Sequence, residues 1–183
     1  MKFCIADPPY LGRAVRWYGP GGRGKGKGKG QADNHPEAYL WDDPATHIGL
    51  VNRLNEQYDG WAIAMSVHSL STYMSAIETD LENGIRVGVW HKPAAVPSGN
   101  RVMNSWEPVL FKIPKERKAY KNGVPTKDVL TCRAMQSGFI GAKPKEWVQW
   151  VIEVMGVAEG DTVDDLFHGS GAVAQALAER TLF

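Results

Sequence analysis

Near its amino end the chain changes abruptly from an apolar segment to two consecutive prolines. The run Phe3-Cys4-Ile5-Ala6 predicts a buried strand, and Asp7-Pro8-Pro9-Tyr10 follows it directly. Neither proline can extend a β-ladder or a helix interior, so we expect the strand to end here in one extended shape. The Asp7 carboxylate and the Tyr10 ring would then be held in place. They suit a planar nitrogen heterocycle that stacks on Tyr10 and donates amino hydrogens to Asp7 and the Pro8 carbonyl.

A glycine-rich loop lies near the other end of the chain. Residues 160–167 predict a turn and a short strand, residues 168–171 a loop, and the Ala-rich segment 172–179 a helix. Glycines allow the backbone to approach a ligand closely, and the next helix begins beside it. The pattern predicts a ligand-binding loop at the end of a strand.

Together the two motifs resemble the AdoMet-dependent amino-methyltransferases that act on adenine or cytosine in DNA. That family's hallmark, [D/N/S]-P-P-[Y/F/W], matches residues 7–10, and its cofactor motif, D-P-F-x-G-S-G, is matched except that Leu166 replaces the proline. The resemblance implies that S-adenosyl-L-methionine (AdoMet, also written SAM) is the cofactor. It implies a catalytic role for Asp7, Pro8, Pro9 and Tyr10. It implies cofactor binding by Asp7, Phe139, Lys143, Asp165, Phe167, Gly169, Ser170 and Gly171.

The order of the motifs implies a circular permutation, with the catalytic motif first and the cofactor motif last. Further buried strands are predicted at residues 60–66, 85–93 and 106–112, and residues 90–93 and 106–112 also resemble family segments. The expected fold is a Rossmann-like α/β three-layer sandwich, with a mostly parallel sheet and one reversed strand near its edge. Residues 1–183 would form a single methyltransferase domain.

This fold would be shortened relative to the family. After the cofactor-loop helix the relatives continue into further strands, the first of which usually ends in an acidic residue that holds the AdoMet ribose. The cofactor strand would therefore lie at an edge of the sheet. An exposed edge favours a homodimer or a partner subunit that covers it.

A helix is predicted from Pro44 to about Tyr58, capped by Asp43, with Ile48, Val51 and Leu54 on its apolar face. On this helix we expect His47 at the surface. Cys4 falls in a predicted core strand, where packing is its expected role.

Composition restricts the class of protein further. No apolar run approaches the roughly 18 residues that span a bilayer, so no membrane partner is predicted. The two cysteines, Cys4 and Cys132, are too few for a disulfide framework, and no Cys/His cluster has metal-ligand spacing. We expect no metal and a reducing cytoplasm, in a prokaryotic or phage-infected cell.

A run of glycines and cations, residues 19–33, predicts a flexible loop that contains Arg23, Lys25, Lys27 and Lys29. Its position after the catalytic motif predicts contacts with the phosphates of DNA. Gly19 to Lys25 also fits G-x-x-x-x-G-K, but Gly26 stands where a nucleotide-binding loop needs Ser or Thr, and no apolar strand precedes it. Residues 114–138 are polar and poorly periodic, which predicts a small target-recognition insertion of broad specificity.

The expected reaction is direct methyl transfer to the exocyclic amino group of adenine, or of cytosine, in DNA. Holding the amino hydrogens on Asp7 frees the nitrogen lone pair, and a well-placed charge of this kind stabilises a transition state by about 3–4 kcal/mol. Two alternatives stay open: the same chemistry on RNA or another amino-bearing substrate, and a non-catalytic remnant that binds nucleic acid or a partner methylase.

Overall fold

The computed structural model describes residues 1–20, 35–77, 84–93, 101–118, 125–135, 141–169 and 171–180. The strands are β1 (Lys2–Ala6), β2 (Gly60–Ala64), β3 (Ile85–His91), β4 (Trp106–Lys112), β5 (Val129–Thr131) and β6 (Thr162–Asp165). The helices are α1 (Ala14–Tyr18), α2 (Pro44–Gln57), α3 (Leu70–Ala76), α4 (Lys115–Lys118), α5 (Lys145–Met155) and α6 (Ala172–Arg180). Short 3-10 helices span Ala38–Asp42 and Val67–Ser69.

The described strands form one mostly parallel sheet in the order β5-β3-β4-β2-β1-β6. Strand β4 alone among them runs antiparallel to its neighbours, β2 and β3. The reversed strand was expected near the edge, and this expectation is wrong because β4 lies third in the sheet. Residues 108–111 of β4 are fully buried whereas β3 is partly exposed, so β4 takes the interior position.

Side chains alternate between the two faces of the sheet and form two cores. On one face Cys4, Trp61 and Leu110 pack with residues of α2 and α3. On the other face Phe3 and Phe111 pack with residues of α5 and α6. The result is the expected three-layer arrangement, and Cys4 is a buried packing residue.

Helix α2 begins where the sequence predicts. The Asp43 side chain accepts a hydrogen bond from the Ala45 amide at 2.9 Å, and Pro44 occupies the first helical turn. His47 is only 1% exposed, so the expectation of a surface histidine is wrong. It is buried because both ring nitrogens have partners: Nδ1 lies 2.6 Å from the Tyr73 hydroxyl and Nε2 lies 2.8 Å from the Trp41 carbonyl. Burial lowers the pKa of His47.

The two ends of the chain meet in the sheet. Strand β1 pairs in parallel with β6, with Ile5 opposite Asp165, and the Leu166 amide donates to the Ile5 carbonyl at 3.2 Å. Both sequence motifs therefore follow the carboxyl ends of two neighbouring strands, at the same end of the sheet. In such sheets ligands bind in the crevice at the carboxyl ends of the strands.

Candidate active site

A cleft of about 250 Å³ lies at the carboxyl ends of β1 and β6. Its walls come from the turn after β1, the segment before α5 and the loop after β6. The lining residues on which the chemistry depends are Asp7, Pro9, Lys143, Trp147, Asp165, Phe167 and Gly169. Residues from the first and the last parts of the chain thus share one cavity.

An ion pair joins Asp7 to Lys143 in this cleft. The Lys143 Nζ atom donates to Asp7 Oδ2 at 2.6 Å and to the Gly141 carbonyl at 3.2 Å. The lysine side chain is 6% exposed and that of Asp7 is 25% exposed, so the pair is partly withdrawn from water. Burial raises the pKa of the Asp7 carboxyl, and the Lys143 ammonium opposes that shift.

Tyr10 belongs to the same network. Its hydroxyl donates to Glu107 Oε2 at 2.9 Å, and the Lys143 Nζ atom lies 3.4 Å from the same hydroxyl. Lys92 donates to the other Glu107 oxygen at 2.5 Å. Burial acts to raise the pKa of Glu107, but the Lys143 and Lys92 ammonium groups outweigh it, and the pKa is lowered. Burial and the nearby carboxylates raise the pKa of Tyr10.

The loop after β6 is held by its own backbone and by aromatic packing. Asp165 accepts a hydrogen bond from the Phe167 amide at 3.1 Å. Gly169 and Gly171 have φ values of 40° and 75°, a left-handed backbone that other residues rarely adopt. The Phe167 ring packs edge-to-face on Trp41 at 5.1 Å. Burial raises the pKa of the Asp165 carboxyl, although the Phe167 amide opposes the shift.

The structure brings most of the described candidate residues together. Asp7, Pro9, Lys143, Asp165, Phe167 and Gly169 line the cleft. Pro8 is buried in the same turn, Tyr10 meets Lys143, and Gly171 directly precedes α6. The other candidates, Phe139, Ser170, Arg23, Lys25, Lys27 and Lys29, lie outside the described residues. The roles assigned to all of these residues stay predictions.

Several residues of this region were not predicted from the sequence. Glu107 and Lys92 fall within two of the predicted strands, and their contact depends on the pairing of β3 with β4. Tyr18 also lines the cleft. Burial raises the pKa of Tyr18 to about 12. The sequence does contain one indication of Glu107's role, a lone Glu near the start of an apolar strand. A charge that is buried in such a strand needs a partner.

The sheet order and the cleft at the strand ends define a Rossmann-like α/β fold of the AdoMet-methyltransferase type. Several solved structures share this fold, and two of them are crystal structures of M1.HpyAVI. A crystal structure of an M1.HpyAVI-SAM complex superposes with a TM-score of 0.62 and 17% identity, over 97% of this chain and 76% of that one. A crystal structure of M1.HpyAVI superposes with a TM-score of 0.58 and 19% identity, over 97% and 75%. No family model and no curated protein matches the sequence.

Within the described ranges no group of three or more His, Cys, Asp or Glu side chains is placed to hold a metal ion. No helix in this part of the chain is long and apolar enough to cross a bilayer.

Proposed function

We propose that this protein transfers a methyl group from AdoMet to the exocyclic amino group of adenine, or of cytosine, in DNA. One observation carries the proposal: Asp7 and the glycine loop after β6 line the same cleft. In this proposal, the group that accepts the amino hydrogens shares one cavity with the loop that binds the cofactor. We further propose that the chain has the permuted motif order of the amino-methyltransferase family.

The residues of the cleft fit AdoMet. Phe167 offers an aromatic face, and the left-handed backbone at Gly169 leaves room beside the loop. Asp165 offers a carboxylate to polar groups of the ligand. The Trp147 indole N–H is buried at the wall of the cleft and has no hydrogen-bond partner among the described residues. A buried donor of this kind suits a ligand acceptor. AdoMet is also the ligand of M1.HpyAVI in one matching structure.

The chain's own groups would then activate the amine. AdoMet supplies an electrophilic methyl carbon on a sulfonium. Asp7 and the Pro8 carbonyl accept the two amino hydrogens, which draws the nitrogen toward tetrahedral geometry and frees its lone pair. The new N–C bond forms as the C–S bond breaks, sulfur keeps that electron pair, and one amine proton leaves to solvent past Asp7. Lys143 holds the Asp7 carboxylate in place.

Tyr10 would hold the target base. A base inside a duplex is out of reach, so the nucleotide has to rotate out of the stack at a cost of a few kcal/mol. Stacking on an aromatic side chain returns about 1–3 kcal/mol per base. We propose that the cations of residues 19–33 hold the flanking phosphates. Of the predicted target-recognition segment, residues 114–138, α4 lies at the end of the sheet opposite the cleft and β5 is a strand of the sheet. We propose that the remainder of the segment supplies limited target recognition.

Methyl transfer can be tested with labelled AdoMet. Wild-type protein is incubated with unmethylated DNA, RNA or nucleosides, and the products are identified by nucleoside mass spectrometry. We expect a methyl group on the exocyclic nitrogen of adenine or cytosine from DNA. Asp7→Ala should reduce the rate by at least about 100-fold, because it removes the charged acceptor. AdoMet binding, measured by calorimetry, should stay largely intact.

Glu116→Ala is the matched control, since Glu116 is an exposed carboxylate on α4, at the end of the sheet away from the cleft. It should keep the wild-type rate. Equal rates for Asp7→Ala and wild type would refute the role of Asp7. Absence of methylated amine from every nucleic acid would refute the proposed function.

A further inference from the structure

Glu107 stands out because it is a carboxylate within a mostly buried strand. It lies near the start of β4, opposite Trp90 of β3, and two residues before Val109 of the core. Its position in the alternating pattern places it on the face covered by α5, the side from which Lys143 enters the cleft. The Glu107 side chain is 20% exposed.

Each Glu107 oxygen has a specific partner. Oε2 accepts the Tyr10 hydroxyl at 2.9 Å, and Oε1 accepts the Lys92 ammonium at 2.5 Å. A carboxylate withdrawn from water is costly unless it is paired and hydrogen-bonded. Here two cations, Lys92 and Lys143, balance two anions, Glu107 and Asp7, and the Tyr10 hydroxyl lies between the two pairs.

This contact restricts the Tyr10 ring. The prolines fix the backbone before Tyr10, but they do not fix the rotation of its side chain. The bond from the hydroxyl to Glu107 ties the far end of the ring to β4, and Lys143 lies 5.6 Å from the ring centroid. The ring is therefore anchored at both ends, by the backbone after β1 and by a strand two places away in the sheet.

We propose that Glu107 is the positioning residue that orients Tyr10 for stacking on the target base. The proposal rests on the proposed function, because it assigns Tyr10 the base as its ligand. Lys92 holds Glu107 in turn, so the Lys92–Glu107–Tyr10 chain of contacts links β3 and β4 to the catalytic turn. Glu107 is not among the described residues that line the cleft, so it would act through Tyr10.

Kinetics of four variants test this role. Tyr10→Phe keeps the ring and removes the hydroxyl, Glu107→Ala removes the acceptor, and Glu107→Gln keeps an acceptor without the charge. Tyr10→Phe and Glu107→Ala should each lower kcat/KM for DNA by about 10-fold, the usual range for loss of one hydrogen bond to a charged group. The Kd for AdoMet should not change. The double variant, Tyr10→Phe with Glu107→Ala, should also lower kcat/KM by about 10-fold rather than about 100-fold. Each single change already removes the same Tyr10–Glu107 hydrogen bond.

Glu107→Gln should keep more activity than Glu107→Ala, and the exposed residue change Glu116→Gln is the matched control that should behave as wild type. Melting temperatures report whether each variant folds. Additive losses in the double variant, or equal activity of Glu107→Ala and wild type, would overturn the proposal.

A second readout does not depend on methyl transfer. Tyrosines labelled with ¹³C at the Cζ atom are titrated by NMR, and the Tyr10 signal is identified by its loss in Tyr10→Phe. Glu107→Gln should lower the pKa of Tyr10, because a neighbouring negative charge is removed. An unchanged Tyr10 titration would overturn the contact. If wild type transfers no methyl group but the titration does shift, the proposed function and the positioning role fail while the contact itself stands.

Discussion

Asp7 and Glu107 are carboxylates of one network whose pKa values move in opposite directions. Burial raises the pKa of Asp7, which has one cationic partner at hydrogen-bond distance, Lys143. Glu107 interacts with both Lys92 and Lys143, and their charges lower its pKa. Protonation of Asp7 would stop the proposed reaction, because Asp7 accepts amino hydrogens only as the carboxylate.

The pH dependence of methyl transfer follows from the ionisation of Asp7. Asp7 accepts amino hydrogens only when ionised, and its folded pKa lies above the ordinary value. The rate should be full at high pH and fall as the pH drops through that raised pKa. Lys143→Met removes the cation that opposes the shift, so the acidic limb of the kcat/KM profile should move to higher pH.

Lys115→Met, on the exposed helix α4, is the control and should leave the profile unchanged. An acidic limb that stays in place in Lys143→Met, or moves to lower pH, would contradict this assignment of Asp7.

Among single residues, the sequence predicted those whose positions are set by their neighbours in the chain. Asp7 follows a strand and precedes two prolines, so its place is set within a few residues of chain. Glu107 acquires its partners only through the pairing of β4 with β3 and the arrival of Lys143 beside Tyr10. His47 was assigned to the surface because its partners, Tyr73 and the Trp41 carbonyl, come from separate elements.

At the scale of elements, apolar runs and capping residues were sufficient for most of the fold. Strands β1, β2 and β4 and helix α2 lie where the sequence predicts them. Strand β5 was not predicted, because it has only three residues and two of them are exposed. The interior position of β4 was missed as well, since the order of strands in a sheet depends on contacts distant in sequence.

The cap of α2 gives a prediction about stability. Asp43→Ala removes the side chain that accepts the Ala45 amide, and should lower the free energy of unfolding by about 1 kcal/mol. Asn is as good a cap as Asp, so Asp43→Asn should cost little. Urea unfolding of the two variants and wild type measures the difference. Equal losses in the Ala and Asn variants would show that the cap does not stabilise α2.

In the molecule as a whole, one network of ion pairs lies near the cleft and a separate one lies at the opposite end of the sheet. The cleft lies at the carboxyl ends of the parallel strands. The opposite end holds α4, where Arg117 and the terminal ammonium of Met1 both pair with Asp161, which is 4% exposed. The sequence also has a second basic run, which consists of Lys112, Lys115, Arg117, Lys118 and Lys121. Its three members on α4 therefore lie away from the cleft, and Lys121 is outside the described residues. Among the described strands, β6 lies at one edge of the sheet, as expected.

The distance between α4 and the cleft yields a prediction about DNA binding. Cations that neutralise phosphates release counterions, so each lost contact reduces the slope of log K against log salt by about 0.9 for duplex DNA. Replacing Arg23, Lys25, Lys27 and Lys29 with Ser should weaken binding and flatten this slope. Fluorescence anisotropy with a labelled duplex at several salt concentrations measures it.

A matched comparison separates position from total charge. Lys27→Ser with Lys29→Ser removes two cations from the run that follows the catalytic motif, and Lys115→Ser with Lys118→Ser removes two from α4, at the end of the sheet away from the cleft. Net charge changes equally in the two variants, so a general attraction between protein and DNA would flatten the two slopes alike. If the DNA lies across the cleft, the first variant loses phosphate contacts and its slope falls, whereas the slope of the second stays at the wild-type value. A lower slope in the α4 variant alone would move the DNA to the opposite end of the sheet, away from Asp7, and the proposed reaction could not then occur in the cleft.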